Sequence, residues 1–137
     1  MVQEINQRQT TINIYLLNLY IEILVCLYVK RKGEIMKIGL FSDAHYCHAE
    51  SLDNTRRPSL SLKKIKEAMD NFKEANVDVC FCLGDLTDHS PEDTKESVVS
   101  CFKEALSLIL SYGIPFHFVP GNHDYLMMTA KEVEKEL

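Results

Sequence analysis

The feature that most limits how this chain can fold is an alternation that begins near residue 36. Three short apolar runs, KIGLFS (37–42), VDVCFCLG (77–84) and FHFVP (116–120), are separated by longer segments of helical period. Runs of this length bounded by turn residues suit buried strands. Between the first two, Leu62, Ile65, Met69 and Phe72 recur at spacings of three and four, which places them on one helical stripe. Pro58 and Ser59 mark its start and Asn76 its stop. Before the third run, SPED (90–93) predicts a helix start, with Ser90 as cap, Pro91 in the first turn, and Glu92 and Asp93 at the positive end. That helix buries Val98, Phe102, Ala105, Leu106 and Ile109; Gly113 ends it and Pro115 prevents its return. MTAKEVEKEL (128–137) begins a further helix. Strand, helix, strand, helix, strand is the order of an α/β fold, a βαβαβ unit with a parallel sheet covered by helices.

Ligands of such sheets bind at the carboxyl ends of the strands. Each predicted strand here ends in a polar cluster. SDAHY follows the first, with Asp43 and His45; GDLTDH follows the second, with Asp85, Asp88 and His89; GNHDY follows the third, with Asn122, His123 and Asp124. The fold therefore gathers carboxylates, imidazoles and an amide at one edge. Crowded carboxylates repel, and one of them takes up a proton unless a cation intervenes. Aspartate and asparagine oxygens with histidine nitrogens suit manganese, iron or zinc. Two such ions a few ångströms apart clamp a phosphoryl group. Gly84 and Gly121 permit sharp exits from the strands and close backbone approach.

D-x-H, then G-D, then G-N-H-D, in this order and after strands, resembles the calcineurin-like metallophosphoesterase superfamily, over about residues 36–125. The resemblance implies that 36–137 is the N-terminal part of a metallophosphoesterase domain, the βαβαβ half of an α/β sandwich. It implies two divalent or trivalent metal ions, with Asp43 and His45 ligating one, Asp85 bridging both and Asn122 ligating the second. His123 would stabilise the transition state or protonate the leaving oxygen, oriented by Asp124. The implied reaction is attack of a metal-bridging hydroxide on phosphorus with inversion, on a phosphomonoester, phosphodiester or pyrophosphate. The family pattern continues with a further histidine and a G-H-x-H element, which are not found before Leu137. The chain therefore reads as part of a longer enzyme, weakly active or inactive as given. The rival reading is a catalytically inactive phosphoesterase-like scaffold that binds proteins.

Other residues bound these expectations. A net charge of −5 without a long basic run argues against general nucleic-acid binding; a small phosphoester, nucleotides included, is the expected partner. The five cysteines are odd in number, and Cys80 and Cys82 lie in an apolar run, the pattern of reduced cytoplasmic usage. Arg56 and Arg57, in the loop after the first motif, suit substrate phosphate by their planar fork, against a solvated lead-in to the helix. Asp88 reads as a local cap, His89 and the Cys47–His48 pair as loop, and His117 as core or helix-facing. Residues 1–35 read as an N-terminal extension. Within it, residues 12–29 form an apolar run of marginal membrane length, interrupted by Asn13, Asn18 and Glu22 and followed by Lys30, Arg31 and Lys32. It is open as a weak membrane anchor, a packing helix or an extension foreign to the native protein. The last is preferred because Met36 opens MKIGLFSD as a natural start would.

Overall fold

The computed structural model describes residues 36–137 apart from 53 and 54, together with the backbone of 11–13, 25–31 and 34–35. Five strands form one sheet in sequence order: β1 (Thr11–Asn13), β2 (Val25–Arg31), β3 (Glu34–Phe41), β4 (Val79–Cys82) and β5 (Phe116–Phe118). β3, β4 and β5 are parallel, as the alternation predicts. Helix α1 (Ser61–Glu74) lies between β3 and β4, α2 (Lys95–Leu110) between β4 and β5, and α3 (Ala130–Glu136) closes the described chain. Both crossovers step the same way across the sheet. Right-handed connections then place α1 and α2 on one face, where they pack against each other.

Ahead of β3 in the chain stands β2. It pairs antiparallel with β3 from Val25↔Leu40 to Arg31↔Glu34, and Met36 pairs with Val29. Met36 is thus inside β3, which starts at Glu34, and marks no structural boundary. Residues 25–29 of the 12–29 run are extended chain, which differs from the packing helix among the expectations, because VCLYV offers β-branched and aromatic residues to an open edge of β3. Residues 14–24 of that run lie outside the described set. Among the described residues no helix is long and apolar enough to cross a membrane.

The core lies between the parallel strands and the two helices. Phe41, Ile65, Met69, Phe72, Phe102 and Ile109 are fully buried, each burial worth about 1.5–3 kcal/mol. Gly39 is required by this packing: a Cβ there would sit 2.8 Å from the Phe72 ring. Phe41 stacks near Phe116, and Phe102 meets Phe118 at a tilt. The alternate residues face away from the helices. There His117 is exposed and stacks on Phe81 with ring centroids 5.0 Å apart, so it is neither core nor helix-facing.

Two helix ends show how the sequence signals acted. At the end of α1, Asn76 adopts φ 53°; its N–H donates to the Lys73 carbonyl and that of Val77 to Phe72. This double closure satisfies carbonyls the helix would leave open. α2 starts later than SPED predicts. Its cap is Thr94, whose side chain accepts from the Ser97 N–H. Two capping signals compete, and Asp93 decides between them: its carboxylate accepts from the Ser90 N–H and the Ser97 hydroxyl, fixing residues 90–93 as a turn. Register fixes the functional edge: Phe41 pairs with Cys82, and Cys82 with Phe118, so the three parallel strands end level.

Candidate active site

Beyond the strand ends, the first two loops remain zipped together. Asp43 N–H donates to the Gly84 carbonyl, His45 to Asp85, and Tyr46 to Leu86, while Asp88 N–H donates back to Tyr46. The zipped backbone imposes a left-handed conformation on Asp43, His45 and Asp85, with φ of 57°, 49° and 53°. Among the described residues Asn76 is the only other non-glycine residue with positive φ. Such positions are costly outside glycine and cluster where function demands them. The third loop joins through the glycines. A Cβ on Gly84 would lie 2.8 Å from the Gly121 Cα, and one on Gly121 only 2.2 Å from Asp85 Oδ1. The close approach expected of these glycines is therefore between strand exits.

This backbone brings Asp43, His45 and Asp85 together. His45 Nε2 lies 3.7 Å from Asp43 Oδ1 and 4.0 Å from Asp85 Oδ2, and one ligand atom from each residue falls within 4.8 Å of the others. Donors about 2.0–2.2 Å from a shared cation are separated by distances of this order. Two carboxylates and an imidazole also supply the charge and the mixed oxygen–nitrogen set a divalent ion takes. These residues fit a metal. Asn122 is exposed on the third loop, next to His123, whose N–H donates to Asp85 Oδ1 at 2.9 Å. The expected second-metal pair, Asp85 and Asn122, thus lies at the same edge.

Asp88, read from sequence as a local cap, is the centre of a second cluster. It is 3% exposed. Its Oδ2 receives His45 Nδ1 at 3.1 Å and the Arg56 guanidinium, and its Oδ1 receives His123 Nδ1 at 3.0 Å and the His89 N–H at 2.8 Å. Burial alone would push the Asp88 carboxyl up. The donors from His45, His89 and His123 overcome this and hold it at about 2. Burial likewise lowers His45, yet the Asp88 hydrogen bond and the charges of Asp88 and Asp85 raise it against opposition from Arg56. His45, Asp88 and His123 also lie close enough to hold an ion. The Arg56 cation on the same carboxylate makes this a hydrogen-bonding cluster instead. The rings of His45 and His123 meet edge to face with centroids 4.7 Å apart. The Asp88 cluster therefore stands beside the Asp43–His45–Asp85 group, sharing His45 with it. Arg56 is brought to the site; Arg57 is exposed and donates to the Arg56 carbonyl.

Asp124 differs from expectation. Its carboxylate is directed at backbone. Oδ2 accepts from the Asp85 and Gly121 N–H groups, both at 2.8 Å, and Oδ1 from the Thr87 N–H at 2.9 Å and hydroxyl at 3.0 Å. The side chain turns back under its own loop, where these donors would otherwise be buried unpaired, and Asp88 takes the place beside His123. Burial pushes the Asp124 carboxyl up, partly offset by the donors. The signal for Asp88 was its position three residues after Asp85 in GDLTDH, which returns it to the same edge.

A model of the calcineurin-like phosphoesterase family matches residues 36–136. The chain belongs to the calcineurin-like phosphoesterase family. The resemblance read from D-x-H, G-D and G-N-H-D is thereby confirmed, as is the α/β fold. A crystal structure of a dimetal phosphatase from Danio rerio shares the fold at a TM-score of 0.65 and 18% identity, over 73% of this chain and 33% of that one. The calcineurin-like chain thus spans about a third of the length of that phosphatase. No curated protein matches it.

Proposed function

We propose that this chain carries the metal-binding edge of a metal-dependent phosphoesterase acting on a phosphomonoester, phosphodiester or pyrophosphate bond of a small molecule, nucleotides included. The observation that carries this is the juxtaposition of two groups of opposite character: Asp43, His45 and Asp85 gathered within 4.8 Å, and Asp88 binding His123 and Arg56 beside them. Asp43, His45 and Asp85 would hold one ion, and Asp85 with Asn122 would contribute to a second. Manganese, iron and zinc all suit such donors. Bound there, the ions would supply Lewis-acid stabilisation of charge on phosphoryl oxygens.

The chain's own residues supply the rest. Asp88 occupies Nδ1 of His123, which leaves Nε2 free to donate to, or exchange a proton with, an ester oxygen. Arg56 offers a guanidinium to a phosphate, tethered by Asp88 and by the paired backbone bonds between Leu52 and Arg56. Asp124 positions Asp85 and His123 relative to each other through the peptide groups it gathers. The buried thiols of Cys47, Cys82 and Cys101, which form no disulfide among the described residues, support a cytoplasmic setting.

The test is manganese binding by equilibrium dialysis, paired with turnover of p-nitrophenyl phosphate, bis(p-nitrophenyl) phosphate and a nucleoside diphosphate sugar. Wild type should retain manganese, Asp43→Asn and His45→Ala should lose it, and His123→Ala should retain it while losing turnover. A wild-type chain that neither binds manganese nor turns over any substrate refutes the proposal. Manganese binding without turnover, when it persists in protein that also carries the downstream histidine and G-H-x-H element of the family pattern, supports the non-catalytic scaffold in its place.

A further inference from the structure

Ser61 opens α1 and is buried. A serine in the first turn of a helix commonly directs its hydroxyl to nearby backbone. This one does not. Its N–H donates to the Pro58 carbonyl, and its hydroxyl leaves the helix, donating at 2.5 Å to the carbonyl of Ala44, 17 residues back in the chain.

Ala44 stands between Asp43 and His45 and is itself buried. Its carbonyl belongs to the peptide unit that joins it to His45. A peptide unit is planar, so its C=O and N–H turn together. Here both ends are held. The C=O receives Ser61 from α1, and the His45 N–H donates to the Asp85 carbonyl in the second loop at 2.9 Å.

The orientation of this peptide sets the φ of His45, which is 49°. Turning the peptide over would return that φ to negative values, where a residue with a side chain is at ease. It would also take the backbone out of the conformation from which His45 Nε2 lies 3.7 Å from Asp43 Oδ1 and 4.0 Å from Asp85 Oδ2. Backbone strain therefore pulls against the arrangement that gathers the three ligands. Two hydrogen bonds resist it. One comes from backbone alone; the other needs a hydroxyl at position 61.

We propose that Ser61 is a positioning residue for the metal-binding group. Through the Ala44 carbonyl it holds His45 in the strained backbone that directs the ring to Asp43 and Asp85. This rests on the phosphoesterase reading above and adds to it a residue of α1, an element that reading leaves out.

Ser61→Ala tests it, with Ser59→Ala as control, because the Ser59 hydroxyl makes a comparable contact to the Glu50 carbonyl at 3.0 Å. Alanine suits a helical position, so the fold is kept. Manganese affinity, read by equilibrium dialysis, should fall about tenfold in Ser61→Ala, the worth of one hydrogen bond, since only molecules with the peptide unturned bind the ion. Ser59→Ala should match wild type, and an equal fall there overturns the proposal. Amide exchange in the metal-free chain supplies a readout that a purely structural contact would not move. In Ser61→Ala the His45 N–H should lose about tenfold more protection than its neighbour Tyr46, whose N–H donates to the Leu86 carbonyl. A lowered urea midpoint with unchanged manganese affinity makes Ser61 a helix-to-loop contact only and overturns the proposal. So does His45 exchange that changes no more than that of Tyr46, whatever manganese does. Should wild type retain no manganese, the metal reading fails by itself, and the exchange of His45 alone decides whether Ser61 holds this peptide.

Discussion

Replacing Asp124 tests whether the three loops are held together by one buried carboxylate. Asp124 is fully buried and receives four donors: the N–H groups of Asp85, Gly121 and Thr87, and the Thr87 hydroxyl. In Asp124→Asn the amide oxygen can keep the Asp85 and Gly121 pair. The new NH₂ then faces Thr87, whose hydroxyl can rotate to accept from it, while the Thr87 N–H is left unpaired. One orphaned buried donor costs about 1–3 kcal/mol, and the bonds that remain lose their ionic character. Relief of the buried charge offsets part of this, so a net loss of about 2 kcal/mol is expected. Asp124→Ala leaves all four donors without their acceptor, and about 4 kcal/mol is expected. Urea denaturation reads both changes. With a slope of about 1–3 kcal/mol per molar urea, the Asn variant should shift the midpoint by about 1 M. Amide exchange locates the effect: Thr87 should lose protection beyond the global change, whereas Ile65 and Phe72 in α1 should follow the global change alone. An Asn variant within about 0.5 kcal/mol of wild type, a change of the size expected at ordinary surface positions, would refute the reasoning.

Gly121→Ala should cost far more than Gly113→Ala. At Gly121 the added Cβ would lie 2.2 Å from Asp85 Oδ1 and 2.6 Å from its backbone nitrogen, while at Gly113 nothing lies within 4 Å and only a φ of 68° opposes it. Thermal melts should show about 1 kcal/mol for Gly113→Ala and a larger loss, with weakened manganese binding, for Gly121→Ala. Thr94→Ala should destabilise by about 1 kcal/mol through loss of the α2 cap, measured by the same melts. In metal-free chain, Asp88 contributes stability that is present above its ordinary value of 3.8 and is lost as pH falls through about 2, because its folded value is depressed. Urea midpoints taken between pH 5 and 2 should fall in wild type and fall less steeply in Asp88→Asn.

The parallel strands, the helices and the shared edge were legible because their signals are local. The Leu62–Phe72 stripe, the stop at Asn76 and the polar clusters after apolar runs each lie within a few residues. What escaped depended on partners distant in the chain. Ser90 and Thr94 are both good caps, and the choice was made by where the Asp93 carboxylate goes. Asp88 looked local because its three side-chain partners come from residues 45, 56 and 123. Asp124 was expected on its neighbour His123, yet the loop folds it inward onto peptide groups. β2 was hidden because an apolar run of this length satisfies a helix and a strand equally well, and only the open edge of β3 decides between them.

The left-handed backbone at Asp43, His45 and Asp85 sets the direction in which this domain can drift. At those positions glycine would relieve a conformation that costs about 1 kcal/mol or more in any other residue, so mutation towards glycine is permitted by the chain's conformation and opposed only by selection for chemistry. A lineage released from that selection should lose these side chains early and gain thermal stability as it does so. The geometry that assembles the site thus also records whether the site is still in use.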